Sequence, residues 1–245
     1  MKLWGTPPDA LSPGTFSLDG EEVEFGPGES ILQAATRAGH YIPHLCWHPE
    51  FGAKGSCRLC TVRINGRIGA ACTVQAASGQ EVESDTEDLN AQRKTLLQMI
   101  FIEGNHFCPS CEKSGNCRLQ ATAYDIGMEG PHFEEFYPDR RVDASHPDLL
   151  LDLNRCILCS LCVRASHEVD HKDVFAIGGH GIKTRLLVNS PSGQMADSAL
   201  LATDRAAYVC PVGAILHKRV GFAVPIGQRH FDQLPVSRQI NESQP

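Results

Sequence analysis

The residues of this chain that could carry out chemistry are its cysteines. All eleven, together with one histidine, can be sorted into three sets of four potential metal ligands, with none left over. Each set contains a Cys-x2-Cys pair, which brings two sulfurs close enough to hold one metal centre, as iron-sulfur and zinc sites both require. The sets are Cys46, Cys57, Cys60 and Cys72; His106, Cys108, Cys111 and Cys117; and Cys156, Cys159, Cys162 and Cys210. The sequence therefore predicts three metal centres.

Length and charge narrow the class of protein. A chain of 245 residues is expected to form two or three small domains. The formal net charge of -7 argues against general affinity for nucleic acid or anionic membranes, since both require clustered Lys and Arg. No signal-peptide pattern or membrane-spanning apolar run is found. We therefore expect a cytoplasmic protein without membrane insertion, whose reduced thiols serve metal sites rather than disulfides.

The segment from residue 15 to residue 84 is predicted to contain two hairpins. Asp19-Gly20 and Asn65-Gly66 are turn pairs that fit the twist of two-residue hairpin loops. The predicted strands are Phe16–Leu18 with Val23–Phe25, and Thr61–Ile64 with Ile68–Ala71. The second hairpin leads directly to Cys72.

Two helices are predicted. The first begins at Ser30, with Gln33 completing a capping box, and ends at Gly39. The second lies between Ser84 and Gly104. The expected apolar faces are Ile31, Leu32, Ala35 and Ala38 in the first helix, and Leu89, Leu96, Leu97, Ile100 and Phe101 in the second.

The order of hairpin, helix, cysteine loop, strands and final cysteine resembles the β-grasp fold of plant-type 2Fe-2S ferredoxins. Residues 51–56 include two glycines, which let backbone N–H groups approach sulfur. The spacing Cys-x10-Cys-x2-Cys-x11-Cys is a variant of the plant pattern, which begins Cys-x4-Cys-x2-Cys. A structural zinc site is the alternative, although zinc sites usually contain two Cys-x2-Cys pairs.

The second set depends on His106. A histidine near cysteines is most often a surface or core residue. Here, however, only three cysteines are available for four ligand positions, and this shortage favours His106 as the fourth ligand.

The third set resembles half of a bacterial two-cluster ferredoxin, in which each run reads Cys-x2-Cys-x2-Cys-x3-Cys-Pro and the fourth cysteine serves the other cluster. In this chain the fourth position of the first run is Ser166. The first three positions of the second run are Leu200, Thr203 and Ala206, and only Cys210-Pro211 is kept. One cluster is therefore expected where the two-cluster fold has two.

Taken together, the motifs resemble a specific family. They are Glu103–His106, Cys108–Cys117, Lys218–Gly221 and Pro225–Gly227. They are similar to the N-terminal part of the large iron-sulfur subunit of respiratory complex I and to iron-only hydrogenases. The resemblance is strongest to the small diaphorase subunit of soluble NAD-reducing nickel-iron hydrogenases, over nearly the whole chain beyond residue 15. The two-residue spacing from His106 to Cys108 is that of a shorter variant in this family, so the resemblance implies that His106 is a ligand.

The resemblance implies an α+β fold that carries one 2Fe-2S cluster on the first set and one 4Fe-4S cluster on each of the other two. Residues 1–14 are expected to form an extension and residues 15–84 a β-grasp 2Fe-2S domain. Residues 85–145 are expected to form a small 4Fe-4S domain with one histidine and three cysteine ligands. Residues 146–220 are expected to form a bacterial-ferredoxin-like 4Fe-4S domain, followed by a tail at 221–245. The implied partners are a flavin- and NAD-binding diaphorase subunit and the small and large nickel-iron hydrogenase subunits. Phe222, Val224, Pro225 and Ile226 in the tail are candidate contacts.

No motif for catalysis or nucleotide binding is found. Gly178–Gly181 lacks the spacing of a dinucleotide or phosphate loop and is expected to form a turn. We therefore predict no catalytic residues and no other cofactor-binding residues. The family resemblance then implies that the chain is an electron-transfer subunit of a hydrogen:NAD+ oxidoreductase. The alternatives are the same relay module in a formate dehydrogenase or complex I type of enzyme, and a zinc-stapled interaction scaffold.

Overall fold

The computed structural model describes residues 12–239, which form two compact units. The first unit contains residues 12–96 and 237–239, and the second contains residues 97–236. Of the predicted N-terminal extension, residues 1–11 lie outside the described residues, as do residues 240–245 of the predicted tail. Gly14, expected to end the extension, is the first residue of a strand. The finer domain boundaries stay predictions.

The first unit is built on a mixed sheet of five strands. Its elements are β1 (Gly14–Leu18), β2 (Glu21–Phe25), α1 (Ile31–Arg37), β3 (Trp47–His48), β4 (Gly52–Ala53), β5 (Thr61–Ile64), β6 (Arg67–Ala70) and β7 (Glu81–Glu83). The strand order is β2-β1-β7-β5-β6, and β1 and β7 are parallel while the other pairs are antiparallel. β3 and β4 form a separate two-stranded ribbon.

Both predicted hairpins are present, with the turns at the expected residues. Asp19 and Gly20 have φ of 51° and 90°, and Asn65 and Gly66 have φ of 47° and 78°. Two consecutive left-handed residues give the turn that matches the twist of paired strands, which is why Asn or Asp followed by Gly is favoured there. β6 begins and ends one residue earlier than predicted, so Ala71 already belongs to the turn that leads to Cys72.

Helix α1 begins with the predicted capping box. The Ser30 Oγ accepts a hydrogen bond from the Gln33 N–H at 3.2 Å, and the Ser30 N–H donates to Gln33 Oε1 at 2.8 Å. The buried face consists of Ile31, Leu32, Ala34 and Ala35. The prediction that Ala38 belongs to this face was wrong: the helix ends at Arg37, so Ala38 is its exposed C-cap residue.

The core of the first unit lies between α1 and one face of the sheet. Phe16 and Leu18 from β1 are two residues apart and so point to the same side. They pack in one cluster with Ile31 and Leu32 of α1 and with the cysteines Cys60 and Cys72. Because two ligand candidates belong to this core, the fold holds their positions.

The second predicted helix is α2 (Glu87–Glu103). Leu89 and Leu97 are buried as expected, whereas Leu96, Ile100 and Phe101 are half-buried. Between the two buried leucines, at the same helical spacing, lies Arg93, which is only 2 % exposed. Its burial was not predicted.

Arg93 is stabilised by five hydrogen bonds. Its guanidinium donates to the backbone oxygens of Leu59 (3.0 Å), Thr61 (2.8 Å) and Ser84 (2.7 Å), and also to the Ser84 hydroxyl and Asn90 Oδ1. Leu59 and Thr61 flank Cys60. Arg93 therefore fixes the chain on both sides of one cysteine of the first set.

The second unit contains short elements joined by long loops. They are α3 (Arg118–Asp125), β8 (Val142–Asp143), β9 (Leu149–Asp152), α4 (Leu161–Arg164), β10 (Phe175–Gly178), β11 (Arg185–Val188), α5 (Arg205–Tyr208) and β12 (Ile215–His217). Antiparallel strands in the order β12-β9-β8 form one sheet, and β10 and β11 form a hairpin. A π-helical turn at Ala165–Val169 continues α4. Within residues 12–239, no helix is long and apolar enough to span a membrane.

The substitution Arg93→Met should lower the unfolding free energy of the first unit by about 3 kcal/mol, because it leaves buried carbonyl groups without donors. Urea unfolding followed by far-UV circular dichroism measures the effect. Gln92→Ala, at an exposed position of the same helix, is the control and should change stability by less than about 0.5 kcal/mol. Equal unfolding midpoints for the two variants would show that the Arg93 hydrogen bonds do not support the unit.

Candidate metal centres

Three loops of the first unit bring the first cysteine set together. Cys46 precedes β3, Cys57 and Cys60 lie between β4 and β5, and Cys72 follows β6. The Cys46 side chain contacts those of Cys57 and Cys72, and Cys72 also contacts Cys60. All four predicted ligands therefore lie at one place.

Backbone N–H groups point at these sulfurs. The Cys57 N–H donates to Cys46 Sγ at 3.4 Å, and Leu45 and Leu59 donate backbone hydrogen bonds to the Cys57 sulfur. The loop bends at Arg58, whose φ of 60° is unusual for a residue with a side chain. Such backbone strain is typical of functional sites, and N–H donors to sulfur stabilise negative charge there.

The sulfurs of the first set compete for ionisation. Contact with Cys57 and Cys72 lowers the pKa of the Cys46 thiol, whereas contact with Cys46 raises the pKa of Cys57 and of Cys72. Once one thiolate has formed, the next is opposed by like charge. Four thiolates therefore fit here only around a positively charged centre, which is the chemistry of a metal site.

The second set surrounds one cavity in the second unit. His106, Cys108, Cys111 and Cys117 all line it. Cys108 begins a 3-10 turn, and Cys117 is the N-cap residue of α3. Burial raises the pKa of the Cys117 thiol to about 12 and also raises the pKa of Cys108. The raised pKa values of Cys108 and Cys117 favour the neutral thiols at neutral pH, and a bound metal would offset this effect.

His106 has the properties of a neutral nitrogen ligand. Burial, with a smaller contribution from the positive charge of Arg155, lowers its pKa to about 4, so the ring is uncharged at neutral pH. Its Nε2 atom is buried and has no hydrogen-bond partner, and a buried nitrogen in that state is costly unless something binds it. The ring edge packs against Phe101, with 5.5 Å between ring centres.

A glycine leaves room for this imidazole. A Cβ atom built on Gly104 would collide with His106 Nε2 and lie 3.0 Å from the backbone oxygen of Asn154. Gly104 was predicted only as the residue that ends α2. Its close approach to the histidine is a second reason for a glycine at that position.

The third set surrounds another cavity in the same unit. Cys156, Cys159, Cys162 and Cys210 all line it, among apolar side chains that include Leu158, Leu186 and Ile215. Leu158 and Ser160, on either side of Cys159, are left-handed, with φ of 54° and 61°. Burial raises the pKa of Cys156 to about 11 and that of Cys162 well above its usual value. Nearby positive charge would favour ionisation of these two thiols.

The loops of the second and third sets are joined to each other. The Arg118 N–H, directly after Cys117, donates to the backbone oxygen of Pro211, directly after Cys210, at 2.8 Å. The Asn105 N–H, next to His106, donates to the backbone oxygen of Asn154 at 2.7 Å. The two cavities are therefore neighbours within one unit.

Three of the positions that carry the ligands of the second cluster in a two-cluster ferredoxin are occupied here by buried residues that are not cysteines. Ser166, which replaces the fourth cysteine of the first run, is fully buried, and its Oγ accepts a hydrogen bond from the Val174 N–H at 2.7 Å. Ala206 and Leu200 are also buried, whereas Thr203 is exposed. A serine bonded to the backbone and two apolar side chains thus occupy three of the four vacated ligand positions.

All eleven cysteines lie in the described part of the chain, and none of them forms a disulfide there. Across residues 12–239, no group of three or more His, Cys, Asp or Glu side chains is arranged to hold a single metal ion.

Three family models match this chain. The model of the 2Fe-2S iron-sulfur cluster binding domain matches residues 12–87. The NADH-ubiquinone oxidoreductase-G iron-sulfur binding region matches residues 93–132, and the 4Fe-4S single cluster domain matches residues 149–216. Each matched segment contains one complete set of candidate ligands: residues 12–87 contain the first set, residues 93–132 the second and residues 149–216 the third. The chain therefore has both 2Fe-2S and 4Fe-4S domains, with the α+β class expected from the sequence.

A similar curated protein is the gamma chain of the NAD-reducing hydrogenase HoxS of Cupriavidus necator. It is 36 % identical over 218 residues, which cover 89 % of this chain and 92 % of the relative. The chain belongs to this gamma-chain family. A chain in the crystal structure of an NAD+-reducing NiFe hydrogenase in the H2-reduced state is 59 % identical, with a TM-score of 0.90. That match covers 92 % of this chain and 96 % of the other.

The gamma-chain family is also related to a longer protein. The G chain of the NADH-quinone oxidoreductase of Escherichia coli K12 is 28 % identical over 214 residues, which are 83 % of this chain but only 23 % of that longer protein. The family resemblance indicated by the motifs is thus confirmed, and so is the role of an iron-sulfur subunit of an oxidoreductase.

The candidate ligands were identified from sequence spacing and, for His106 and Cys210, from resemblance to known families, but the residues that support them were not predicted. Arg93 and Arg155 contact the loops of the first and second sets, respectively. The sequence signal for the burial of Arg93 is its spacing, because it lies four residues after Leu89 and four before Leu97 on the same face of the helix. For Arg155, the only sequence signal is its position directly before Cys156.

Replacing Gly104 by alanine should displace the His106 ring and disturb the second set. We expect a lower iron content and a changed electron paramagnetic resonance (EPR) spectrum, with an unchanged far-UV spectrum. Gly130→Ala is the matched control, because a Cβ there meets no atom within 4 Å. If Gly104→Ala keeps the iron content and EPR spectrum of the parent protein, the glycine is not needed to place the imidazole.

Proposed function

We propose that this chain relays single electrons through one 2Fe-2S and two 4Fe-4S clusters. The proposed ligands of the 2Fe-2S cluster are Cys46, Cys57, Cys60 and Cys72. The proposed ligands of the 4Fe-4S clusters are His106, Cys108, Cys111 and Cys117 for one, and Cys156, Cys159, Cys162 and Cys210 for the other. Nε2 is the proposed ligand atom of His106.

The donor chemistry of the three sets supports these assignments. Thiolates are the usual ligands of iron-sulfur clusters, and a neutral imidazole can replace one of them. The second set offers three thiols and an uncharged imidazole with a buried, unpaired nitrogen. Each set also lies within a family match of the corresponding cluster type. When bound, the clusters supply one-electron oxidation and reduction.

The adjacency of the second and third sets carries the relay proposal. Electron transfer slows steeply with distance, so centres in series must be close neighbours. Here the backbone hydrogen bond from Arg118 to Pro211 joins a residue beside Cys117 to one beside Cys210. The apolar walls of the third cavity, such as Leu186 and Ile215, exclude water from its sulfurs. The protein thereby keeps two redox sites near each other and shielded.

Family membership supports the choice of partners. We propose that the chain works in the cytoplasm between a flavin- and NAD-binding diaphorase subunit and the small and large subunits of a NiFe hydrogenase. The predicted contact in the tail is exposed: Phe222 is 66 % and Ile226 is 84 % accessible. Both line a groove of about 530 Å³ that also includes Cys108. A partner bound there would lie beside the second ligand set.

The tail is attached to the loop of that set. The Phe231 N–H donates to the backbone oxygen of Gly115 at 2.9 Å, and the His230 N–H donates to Asn116 Oδ1 at 2.9 Å. Asn116 directly precedes Cys117. The tail and the ligand loop thus form one continuous surface for a partner.

The relay role is tested by reconstitution. The purified chain alone should be brown and should accept electrons from dithionite, but it should neither reduce NAD nor oxidise hydrogen. Adding the flavin subunit should permit reduction of the chain by NADH, and adding the hydrogenase subunits should complete hydrogen-dependent NAD reduction. Visible absorption and activity assays follow these steps.

Two results would contradict this function. A colourless protein with bound zinc and no acid-labile sulfide would support the scaffold alternative. NADH oxidation by the isolated chain, free of flavoprotein contamination, would show a catalytic site.

His106 provides a test of the second ligand set. His106→Ala should lose the share of iron that belongs to one 4Fe-4S cluster. His106→Cys should keep the cluster and lower its reduction potential, because a thiolate adds negative charge where the imidazole is neutral. Iron analysis and EPR-monitored redox titration measure both effects.

The control for this test is His132→Ala, since His132 is exposed in the same unit. It should leave iron content and potentials unchanged. An alanine variant of His106 that retains all its iron and every EPR signal would rule out the imidazole as a ligand.

A further inference from the structure

Arg155 lies between the second and third ligand sets. It directly precedes Cys156 of the third set, but its side chain extends to the second set and lines that cavity. Its Nη1 donates to Cys111 Sγ at 3.7 Å. The side chain is 19 % exposed, so water screens its charge only in part. Arg155 therefore connects Cys111, a proposed ligand of the second centre, to the chain segment that carries Cys156 of the third.

Two carboxylates hold the guanidinium in place. Its Nη1 forms an ion pair with Glu112 Oε2 at 2.7 Å, and its Nε forms one with Asp152 Oδ2 at 3.0 Å. Glu112 directly follows Cys111. Gly213 leaves space for this arrangement, because a Cβ atom there would lie 3.1 Å from Cys111 Sγ and 3.4 Å from Arg155 Cδ. The two ion pairs and the space left by Gly213 thus hold the guanidinium beside the Cys111 sulfur.

A positive donor at this position favours the reduced form of a cluster. Reduction adds one negative charge to the cluster and its sulfurs, and a hydrogen bond from a cation stabilises that charge. Hydrogen bonds to sulfur and nearby charge are established determinants of iron-sulfur potentials. Glu112 and Asp152 act in the opposite direction because their negative charges oppose reduction.

We propose that Arg155, positioned by Glu112 and Asp152, raises the reduction potential of the centre on the second ligand set through its hydrogen bond to Cys111. The proposal rests on the ligand assignment made under the proposed function. Arg155 is a positioning and tuning residue rather than a ligand. The potential of the second centre is set by the balance between one guanidinium and its two carboxylates.

The test is an EPR-monitored redox titration of the purified full chain and four variants. Arg155→Gln should lower the potential of the second centre, because it removes the donor charge and leaves two carboxylates unpaired. Glu112→Gln should raise the same potential, because it leaves the guanidinium less neutralised. Arg155→Lys keeps the charge, and the reduction potential of its second centre should lie between that of the parent protein and that of Arg155→Gln. Arg219→Gln is the charge-matched control, since it removes one arginine from a single exposed ion pair with Asp148.

Opposite shifts in Arg155→Gln and Glu112→Gln, with none in Arg219→Gln, would support the proposal. Shifts of the same sign in both variants, or no shift in Arg155→Gln, would overturn it. If Arg155→Gln loses the cluster, Glu112→Gln decides the question: a raised potential supports the proposal and an unchanged one overturns it. If the parent protein has no 4Fe-4S signal from the second set, the ligand assignment itself fails, and the tuning proposal fails with it.

Discussion

Like charges on neighbouring sulfurs are the constraint on which this structure depends. In the first set, contact between Cys46 and Cys72 lowers the pKa of one thiol and raises that of the other. In the second and third sets, burial is the main cause that raises the pKa of Cys117 to about 12 and that of Cys156 to about 11. Once one thiolate has formed, its negative charge opposes the ionisation of its neighbours, and nearby positive charge such as that of a bound metal offsets this repulsion. The proposed clusters would supply that positive charge.

The scaffold meets this constraint through backbone and cationic donors. N–H groups of Cys57, Leu45 and Leu59 point at sulfurs of the first set. Arg93 and Arg155 reach the candidate ligand loops in different ways. Arg93 holds the carbonyl groups on both sides of Cys60, whereas Arg155 contacts the sulfur of Cys111 itself. The first interaction secures the loop, and the second also acts on the charge of the site.

Local sequence signals predicted local structure well. Asp19-Gly20 and Asn65-Gly66 form the expected turns because their backbone preferences are intrinsic to those residues. Ser30 and Gln33 form the expected cap for the same reason. The cysteine spacing also predicted which side chains meet, because Cys-x2-Cys restricts the geometry within a few residues. Ligands distant in sequence, such as Cys210, were placed by resemblance to a known fold.

The remaining features depend on tertiary structure. Ala38 follows the apolar spacing of α1, but the helix ends one residue earlier. Arg93 interrupts an apolar face, and its burial depends on acceptors that lie 32 and 34 residues away in sequence. Arg155 reaches across 44 residues to Cys111. No window of sequence contains such partners, so neither contact could be predicted from the pattern.

The joined backbones of the second and third ligand sets have a consequence for maturation of the protein. Loops of this kind gain much of their order when metal binds, since cluster binding and local folding share one free energy. The hydrogen bonds from Arg118 to Pro211 and from Asn105 to Asn154 join the two loops, so that order gained in one loop would favour order in the other. If both sets bind the proposed clusters, inserting the first would therefore help to order the site of the second. Oxidative loss of one cluster would, by the same linkage, loosen its neighbour.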